Sequence, residues 1–248
     1  MLFGTEGRSH QSVVAFAADL KAHGGDPAGV EHVCMDMSAA YALGAAKALP
    51  NAQISYDRFH VVAMAIEAMD QVRRAEMASD GAAVREALGD NDRKSVKQLM
   101  WGMRRNPVSW TRHQGVAMYW LQRSTLKSAR AWRLKMALRE VYAAARQHND
   151  HEQAATGLKA WLSWARRSRL EPFKKLAATL KERFDAVVRG MLDHRSNAYV
   201  EAMNGLLQQA KRAARGFRTS TNFIAIAYLR MSKLEHLPDS PFIAAAAR

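Results

Sequence analysis

The sequence has few of the features that mark secreted, disulfide-bonded or membrane-embedded proteins. Its 248 residues include one cysteine, Cys34, which excludes a disulfide framework and any zinc site built from several cysteines. No apolar run approaches the roughly 18 residues that a membrane-spanning helix needs. The opening segment MLFGTEGRSH also lacks the basic start and apolar core of a secretory signal. We therefore expect a protein of the reducing cytoplasm without membrane contact.

Acidic residues are scarce relative to basic ones, and the imbalance is uneven along the chain. There are 37 Lys and Arg against 23 Asp and Glu, which gives a net charge of +14 and a pI near 10.3. Residues 1–95 hold 9 basic and 13 acidic side chains, a net charge of −4, whereas residues 96–248 hold 28 and 10, a net charge of +18. Such a cationic field favours nucleic acid as partner over the alternative of a merely soluble basic protein.

The first 60 residues predict an α/β unit. The apolar content of the chain, 48%, is enough for a sizeable hydrophobic core. We expect helices at about residues 10–22 and 39–49, and strands at about 30–35 and 52–56, with Met1 to Phe3 as the stub of a further strand. Two strands joined by one helix are parallel. Because they end at Asp36 and Asp57, both carboxylates belong at one edge of the sheet, where open α/β sheets bind ligands.

The rest of the chain predicts helices only. Between about residues 61 and 193 we expect five or six helices, and the expected breaks are at Gly81, 89–92, 106–107, 148–150 and Pro172. A helix over 197–215 and a last one over 221–234 follow. The first of these carries an apolar stripe and an adjacent polar stripe. The polar stripe consists of Glu201, Asn204, Gln208, Lys211 and Arg215.

Asp36, Asp57 and Glu201 are the candidate metal ligands. Taken singly, each has an ordinary explanation, since a strand-terminal Asp often caps the next turn and a helix Glu is often a solvated charge. Asp57 could also simply pair with Arg58 or His60. Taken together, they match the carboxylate oxygens that Mg²⁺ requires. Two-metal phosphoryl transfer uses about three such groups around ions roughly 4 Å apart.

Five sequence blocks strengthen the functional interpretation. The early blocks are residues 5–8, 33–38, 49–52 and 57–62, and the late block runs from Asn197 through 201–204 and 211–212 to 216–218. In order and spacing, along nearly the whole chain, they resemble the DDE transposases of bacterial insertion sequences, and the ISL-three family in particular.

This resemblance implies a ribonuclease-H-like fold interrupted by a large helical insertion before the final catalytic helix. It implies cleavage and strand transfer of DNA at transposon ends and target, dependent on Mg²⁺ or Mn²⁺, by a homo-oligomer of the full-length protein associated with the bacterial nucleoid. Asp36 and Glu201 would be catalytic residues and metal ligands, with Asp57 as a supporting acidic ligand and His60 and Asn204 in the same pocket. The implied DNA-binding residues are Arg58, Lys211, Arg212, Arg215 and Arg218.

The resemblance also divides the chain. It assigns residues 1–62 to a partial ribonuclease-H-like core, 63–193 to the helical insertion, 194–236 to C-terminal helices that complete the core, and 237–248 to a tail. The family's first catalytic Asp lies on an earlier strand, upstream of a segment like residues 2–5, and this sequence begins without it. We therefore expect a truncated transposase with weakened metal binding and lost catalysis. The alternative is a non-catalytic, basic DNA-binding remnant.

Overall fold

The computed structural model describes residues 3–88, 93–193 and 198–231. The chain divides into two compact units, the first formed by residues 1–30, 39–51 and 197–248 and the second by residues 31–38 and 52–196. No helix in the described ranges has the length and apolar character needed to cross a membrane. The elements are α1 (His10–Ala22), β1 (His32–Met35), α2 (Ala39–Ala48), β2 (Gln53–Tyr56), α3 (Arg58–Ala87), α4 (Arg93–Arg104), α5 (Arg112–Arg123), α6 (Lys127–His148), α7 (His151–Arg167), α8 (Glu171–Glu182), α9 (Phe184–Leu192), α10 (Ala198–Ala213) and α11 (Ser220–Met231).

In the first unit, α1 packs closely on α2, and both helices confirm the sequence prediction within one residue. Gly44 allows this approach, because a Cβ there would lie 2.7 Å from the backbone oxygen of His10 and 2.8 Å from the Cβ of Val13. The strand predicted at the N-terminus is not formed at Phe3, which has no regular structure. Instead, the ring of Phe3 lies 5.8 Å from that of Phe16, so it anchors this segment to α1. Met1 and Leu2 lie outside the described residues.

The second unit contains the two predicted strands, which pair in parallel from His32 opposite Gln53 to Met35 opposite Tyr56. Helix α9 packs against β2. A Cβ at Gly190 would lie 2.0 Å from the Tyr56 backbone oxygen, so only glycine permits this contact. The Arg189 guanidinium also donates to the backbone oxygen of Ile54 at 2.9 Å. Helix α9 therefore protects a strand edge that would otherwise be exposed for pairing.

The described part of the second unit contains seven α-helices, α3 to α9, so the prediction of five or six was too low. The expected breaks at 106–107 and 148–150 are confirmed, whereas the one expected at Pro172 lies at 168–170, just before α8. The break expected at Gly81 is a kink inside α3, where Asp80 has φ −147° and ψ 48°. The unpredicted ends at Ser124 and Arg183 carry neither glycine nor proline, so no local signal marks them. The break expected at 89–92 lies outside the described residues.

The core of the second unit centres on α6. Leu134, Leu138, Tyr142 and Ala145 are at most 1% exposed, which matches the helical repeat of this segment. The Trp161 indole donates to the backbone oxygen of Leu134 at 2.8 Å, which fixes α7 on α6. The fold is thus rich in α-helix with a small parallel sheet, and the ribonuclease-H-like topology and the domain limits at 62, 193 and 236 stay predictions. The predicted tail after residue 236 lies outside the described residues.

Candidate functional site

Asp36 and Asp57 lie side by side at the carboxyl edge of the sheet, as predicted. Each follows directly on a strand whose last residues, Met35 and Tyr56, are register partners. The backbone N–H of Asp57 donates to the backbone oxygen of Met35 at 2.9 Å and extends the ladder to the aspartates. The parallel register alone places both carboxylates at this edge.

The two aspartates differ in their surroundings. Asp57 is 4% exposed, and its Oδ1 accepts a hydrogen bond from the Phe59 N–H at 3.0 Å, so it is the N-cap of α3. Asp36 is half-buried, and its Oδ1 accepts from the Ser38 N–H at 3.0 Å. Asp57 therefore has a structural task in starting α3, whereas Asp36 is the more accessible carboxylate.

Arg58 and His60 begin α3 directly beyond Asp57. The Arg58 guanidinium lies 5.1 Å from the ring centre of Phe59, within the range of a cation–π contact. Arg58 is half-buried, and the side chain of His60 is exposed. Both residues are thus placed within three positions of Asp57, and their roles in a pocket and in DNA binding stay predictions.

Tyr142 is a neighbour of Asp57 that the sequence did not reveal. It is 1% exposed, and among the described residues its hydroxyl has no hydrogen-bond partner. Burial raises the pKa of the hydroxyl, the nearby charge of Asp57 raises it further, and Arg58 lowers it. Tyr142 therefore stays neutral within the electrostatic influence of Asp57. In the sequence it is one more apolar position in the repeat of α6, which is why it was missed.

Glu201 and Asn204 lie in α10, and their side chains fall outside the described part of the structure. Helix α10 confirms the patterned helix predicted over 197–215, but it ends at Ala213. Arg215 adopts a left-handed backbone conformation with φ 52°, so it does not continue the polar stripe as predicted. The helix stops because the Gly216 N–H bonds back to the Lys211 oxygen at 2.8 Å.

The corner between α10 and α11 is cationic. Lys211, Arg212, Arg215 and Arg218 are all exposed, and none has an ion-pair partner among the described residues. The Phe217 ring, which packs 5.3 Å from that of Phe223, holds the corner in place. The predicted DNA-binding residues of this segment are thus exposed at the end of α10 and in the connection to α11.

Charged side chains inside the second unit have structural partners instead. Buried Asp70 accepts from Arg73 at 2.9 Å and from Arg104 at 2.8 Å. Burial raises the pKa of the Asp70 carboxyl, but the hydrogen bonds and charges of the two arginines outweigh it and lower the pKa overall. Asp70 is therefore an anion at neutral pH that ties α3 to α4.

Two further buried charges act on backbone groups. Glu76 accepts from the N–H groups of Lys127 and Ser128 at 2.6 and 2.8 Å, so it caps α6 from another helix. Lys135 is fully buried and donates to the backbone oxygen of Met103 at 2.8 Å. Burial, with a smaller contribution from Arg139, lowers the pKa of Lys135 to about 8. None of these partnerships was predicted, because each joins residues far apart in sequence.

The strand-edge carboxylates suit a divalent cation in the kind of ligand that they offer. Asp36 and Asp57 both provide carboxylate oxygens, the donors preferred by Mg²⁺. Among the side chains that the structure describes, which do not include that of Glu201, no three His, Cys, Asp or Glu residues are grouped as a metal site. The predicted role of Asp36 and Asp57 as metal ligands stays a prediction.

The family model and the similar proteins that match this chain are all transposases. The family model described as "Transposase", of the DDE ISL-three type, matches residues 1–227. A transposase for insertion sequence element IS1557 from Mycobacterium tuberculosis is 29% identical in an alignment of 228 residues that covers 86% of this chain and 50% of the relative. A transposase for insertion sequence element IS1001 from Bordetella parapertussis is 27% identical over 221 residues, 88% of this chain and 51% of the relative.

The chain thus spans about half the length of the curated relatives that it matches. No solved structure matches it. The family match covers both units of the fold, including the strand-edge aspartates, α10 and the cationic corner. From the match over residues 1–227, we conclude that this chain belongs to the ISL-three family of DDE transposases.

Proposed function

We propose that this chain takes part in the metal-dependent cleavage and strand transfer of DNA during transposition. The observation that carries the proposal is the parallel pairing of β1 and β2, which aligns Asp36 with Asp57 at one sheet edge. Family membership supports this assignment, because a DDE enzyme depends on acidic residues. In this proposal the underlying topology is ribonuclease-H-like.

Asp36 is the proposed catalytic carboxylate of this edge. Its half-buried side chain is accessible to a ligand. Asp57 is almost fully buried, caps α3 and acts as the supporting acidic residue. Glu201, on α10, is the second proposed catalytic residue, by family resemblance. A divalent ion bound by such carboxylates would polarise the attacking oxygen and stabilise the leaving oxygen.

The surroundings of Asp57 contribute through electrostatics. The buried hydroxyl of Tyr142 remains protonated, so it adds no negative charge next to Asp57. His60 lies on the first turn of α3 and is exposed, which allows it to contact a substrate. We propose that Arg58 and the cationic α10–α11 corner bind phosphates of transposon-end and target DNA.

The test is a DNA cleavage and strand-transfer assay with the purified protein, Mg²⁺ or Mn²⁺, and DNA carrying the flanking element ends. In a full-length parent transposase that carries these residues, we expect Asp36→Asn and Glu201→Gln each to abolish product formation and to leave the melting temperature unchanged. Asp185→Asn, at an exposed position of α9, is the matched control and should keep full activity. Unchanged activity of Asp36→Asn would show that Asp36 is not catalytic.

DNA binding without cleavage is the second candidate function. It is favoured by the exposed cations of the α10–α11 corner, which form no ion pair with another described residue and need no metal to bind phosphates. A wild-type chain that binds the element ends with a steep salt dependence but forms no product with either metal would support it. Product formation by the wild-type chain would exclude it.

A further inference from the structure

A cleft between α7, α8 and α9 is lined by three basic side chains. Its volume is about 310 Å³. No acidic residue is among those that line it, all of which the structure describes. They are Lys159, Leu162, Ser163, Arg166, Lys181 and Phe184.

The cations of this α7–α9 cleft are available to a ligand. Lys159, Arg166 and Lys181 are exposed, and none forms an ion pair with another described residue. The ammonium of Lys159, on α7, lies 5.8 Å from the ring centre of Phe184, on α9. This cation–π contact holds the Lys159 side chain over the cleft. Three like charges are thus held around one opening, with no internal partner to neutralise them.

The cleft is partly lined by apolar side chains. Leu162 is 6% exposed and Phe184 is half-buried, so both are fixed by the packing of the helices below. Ser163 adds a hydroxyl between Lys159 and Arg166 on the same face of α7. A cationic rim with a hydroxyl above an apolar floor suits a phosphodiester next to a sugar.

The spacing of the cations indicates an extended polyanion. Lys159 and Arg166 are seven residues apart on one helix, which is about 10 Å along its axis at 1.5 Å per residue. Nucleic acid carries a regular row of phosphates along each strand, so two cations at this separation can contact different phosphates of one strand. A single small anion leaves part of the rim unused.

We propose that the α7–α9 cleft binds the sugar-phosphate backbone of DNA. The proposal rests on the proposed function, that this chain acts on DNA, and adds a binding site separate from the strand-edge carboxylates. It assigns Lys159, Arg166 and Lys181 to successive phosphates and Ser163 to a phosphate oxygen. Leu162 and Phe184 exclude water from the floor of the cleft.

The test compares two triple variants in binding of a labelled DNA duplex at several salt concentrations. The cleft variant combines Lys159→Gln, Arg166→Gln and Lys181→Gln. The control combines Lys127→Gln, Arg146→Gln and Lys175→Gln, which remove the same charge from exposed positions of the second unit outside the cleft. Melting temperatures of all proteins check folding, and Lys181→Gln alone replaces the triple variant if it does not fold.

We expect the cleft variant to bind at least about tenfold more weakly at low salt. The slope of log K against log salt should fall by roughly 2 to 3, since each lost phosphate contact lowers it by about 0.9. Lys181→Gln alone should lower it by about 0.9. The control should change affinity by less than about threefold, which corresponds to the general loss of charge. Equal losses in both triple variants would overturn the cleft proposal and leave the proposed function intact. No DNA binding by the wild-type chain would overturn both.

A second measurement detects contact while the cations of the cleft stay in place. Ser163→Cys and, as the control, Lys175→Cys are each mixed with DNA that carries a thiol tether on a backbone phosphate. Disulfide trapping should be faster at position 163 than at position 175. Equal trapping rates at the two positions would overturn the placement of the DNA backbone in the cleft.

Discussion

Inside the second unit, Asp70, Glu76 and Lys135 each bind a partner from another helix, whereas the cations that rim the α7–α9 cleft have no ion-pair partner among the described residues. The interior charges join α3, α4 and α6 and hold the bundle together. The cleft cations contribute nothing comparable to it. The contrast separates charges that stabilise the fold from charges that remain available for an external ligand.

The contrast has an energetic cause. A buried charge loses its hydration, so it is tolerated only where hydrogen bonds and opposite charges compensate for that loss. An exposed cation keeps its hydration, and an exposed ion pair stabilises a protein by at most about 1 kcal/mol. We therefore expect interior charge substitutions to change the free energy of unfolding, and surface substitutions to change DNA binding instead.

The largest effect on stability is expected for Asp70→Asn. The substitution leaves Arg73 and Arg104 without the buried carboxylate that they share, which should lower the free energy of unfolding by about 3 kcal/mol. Because the pKa of Asp70 is lowered in the folded chain, its contribution is present above the unfolded pKa and is lost as the pH falls through the folded value. Urea denaturation at pH 7 measures the loss.

Glu67→Gln is the matched control for Asp70→Asn. Glu67 lies on the same helix and pairs with Arg74 at 2.8 Å, but both side chains are more than half exposed. We expect a change below about 1 kcal/mol. If the two variants were equally unstable, burial would not be what distinguishes interior from surface charges.

Lys135→Met should change how stability depends on pH. The pKa of Lys135 falls from the ordinary 10.5 to about 8 in the folded chain, so between these values the unfolded chain keeps a proton that the folded chain has released. The contribution of Lys135 to the free energy of unfolding therefore rises with pH in that window, by about 2 kcal/mol between pH 7.5 and 9.5. Lys135→Met should lack this rise. Denaturation curves across that range test it.

Lys175→Gln provides the comparison for Lys135, because it removes an exposed lysine from the same unit. Its pH profile should run parallel to that of the wild-type chain. A Lys135→Met profile that also ran parallel would mean that burial does not perturb Lys135.

Glu76→Gln should destabilise the chain by about 1.5 kcal/mol, because a neutral amide has one acceptor oxygen for the two N–H groups at the start of α6 and no charge to stabilise the helix dipole. Glu86→Gln, at an exposed position of the same helix, should have little effect. Thermal unfolding measures both. Equal melting temperatures would contradict the capping role of Glu76.

The smallest effect on stability is expected in the α10–α11 corner. The pair of substitutions Lys211→Gln and Arg212→Gln should leave the melting temperature unchanged, yet lower the salt slope of DNA binding by roughly 2. The control pair Lys21→Gln and Lys47→Gln removes the same charge from exposed positions on α1 and α2. It should leave the salt slope of DNA binding nearly unchanged. A loss of stability in the corner variant would place its cations among the structural charges.

Prediction from the sequence succeeded wherever the signal was local. Both strands, α1 and α2 were predicted within two residues at each end, and their order places Asp36 and Asp57 at one edge. The prediction that Arg215 continues the polar stripe of α10 was wrong. The helix ends at Ala213, and Arg215 adopts a left-handed backbone conformation in the turn that follows. The number of helices was too low because two helix ends carry no glycine or proline.

By itself, the sequence determined the parallel strands with their terminal aspartates, the helical remainder, the cationic second half and the family. These follow from periodicity, charge and motif order, which consecutive residues carry. Only the tertiary structure decided that Tyr142 lies by Asp57, that Glu76 caps a helix beginning 51 residues later, and that Lys159 and Lys181 share a cleft. Those pairings depend on which helix faces pack together, and packing is decided by shape and burial across the whole unit.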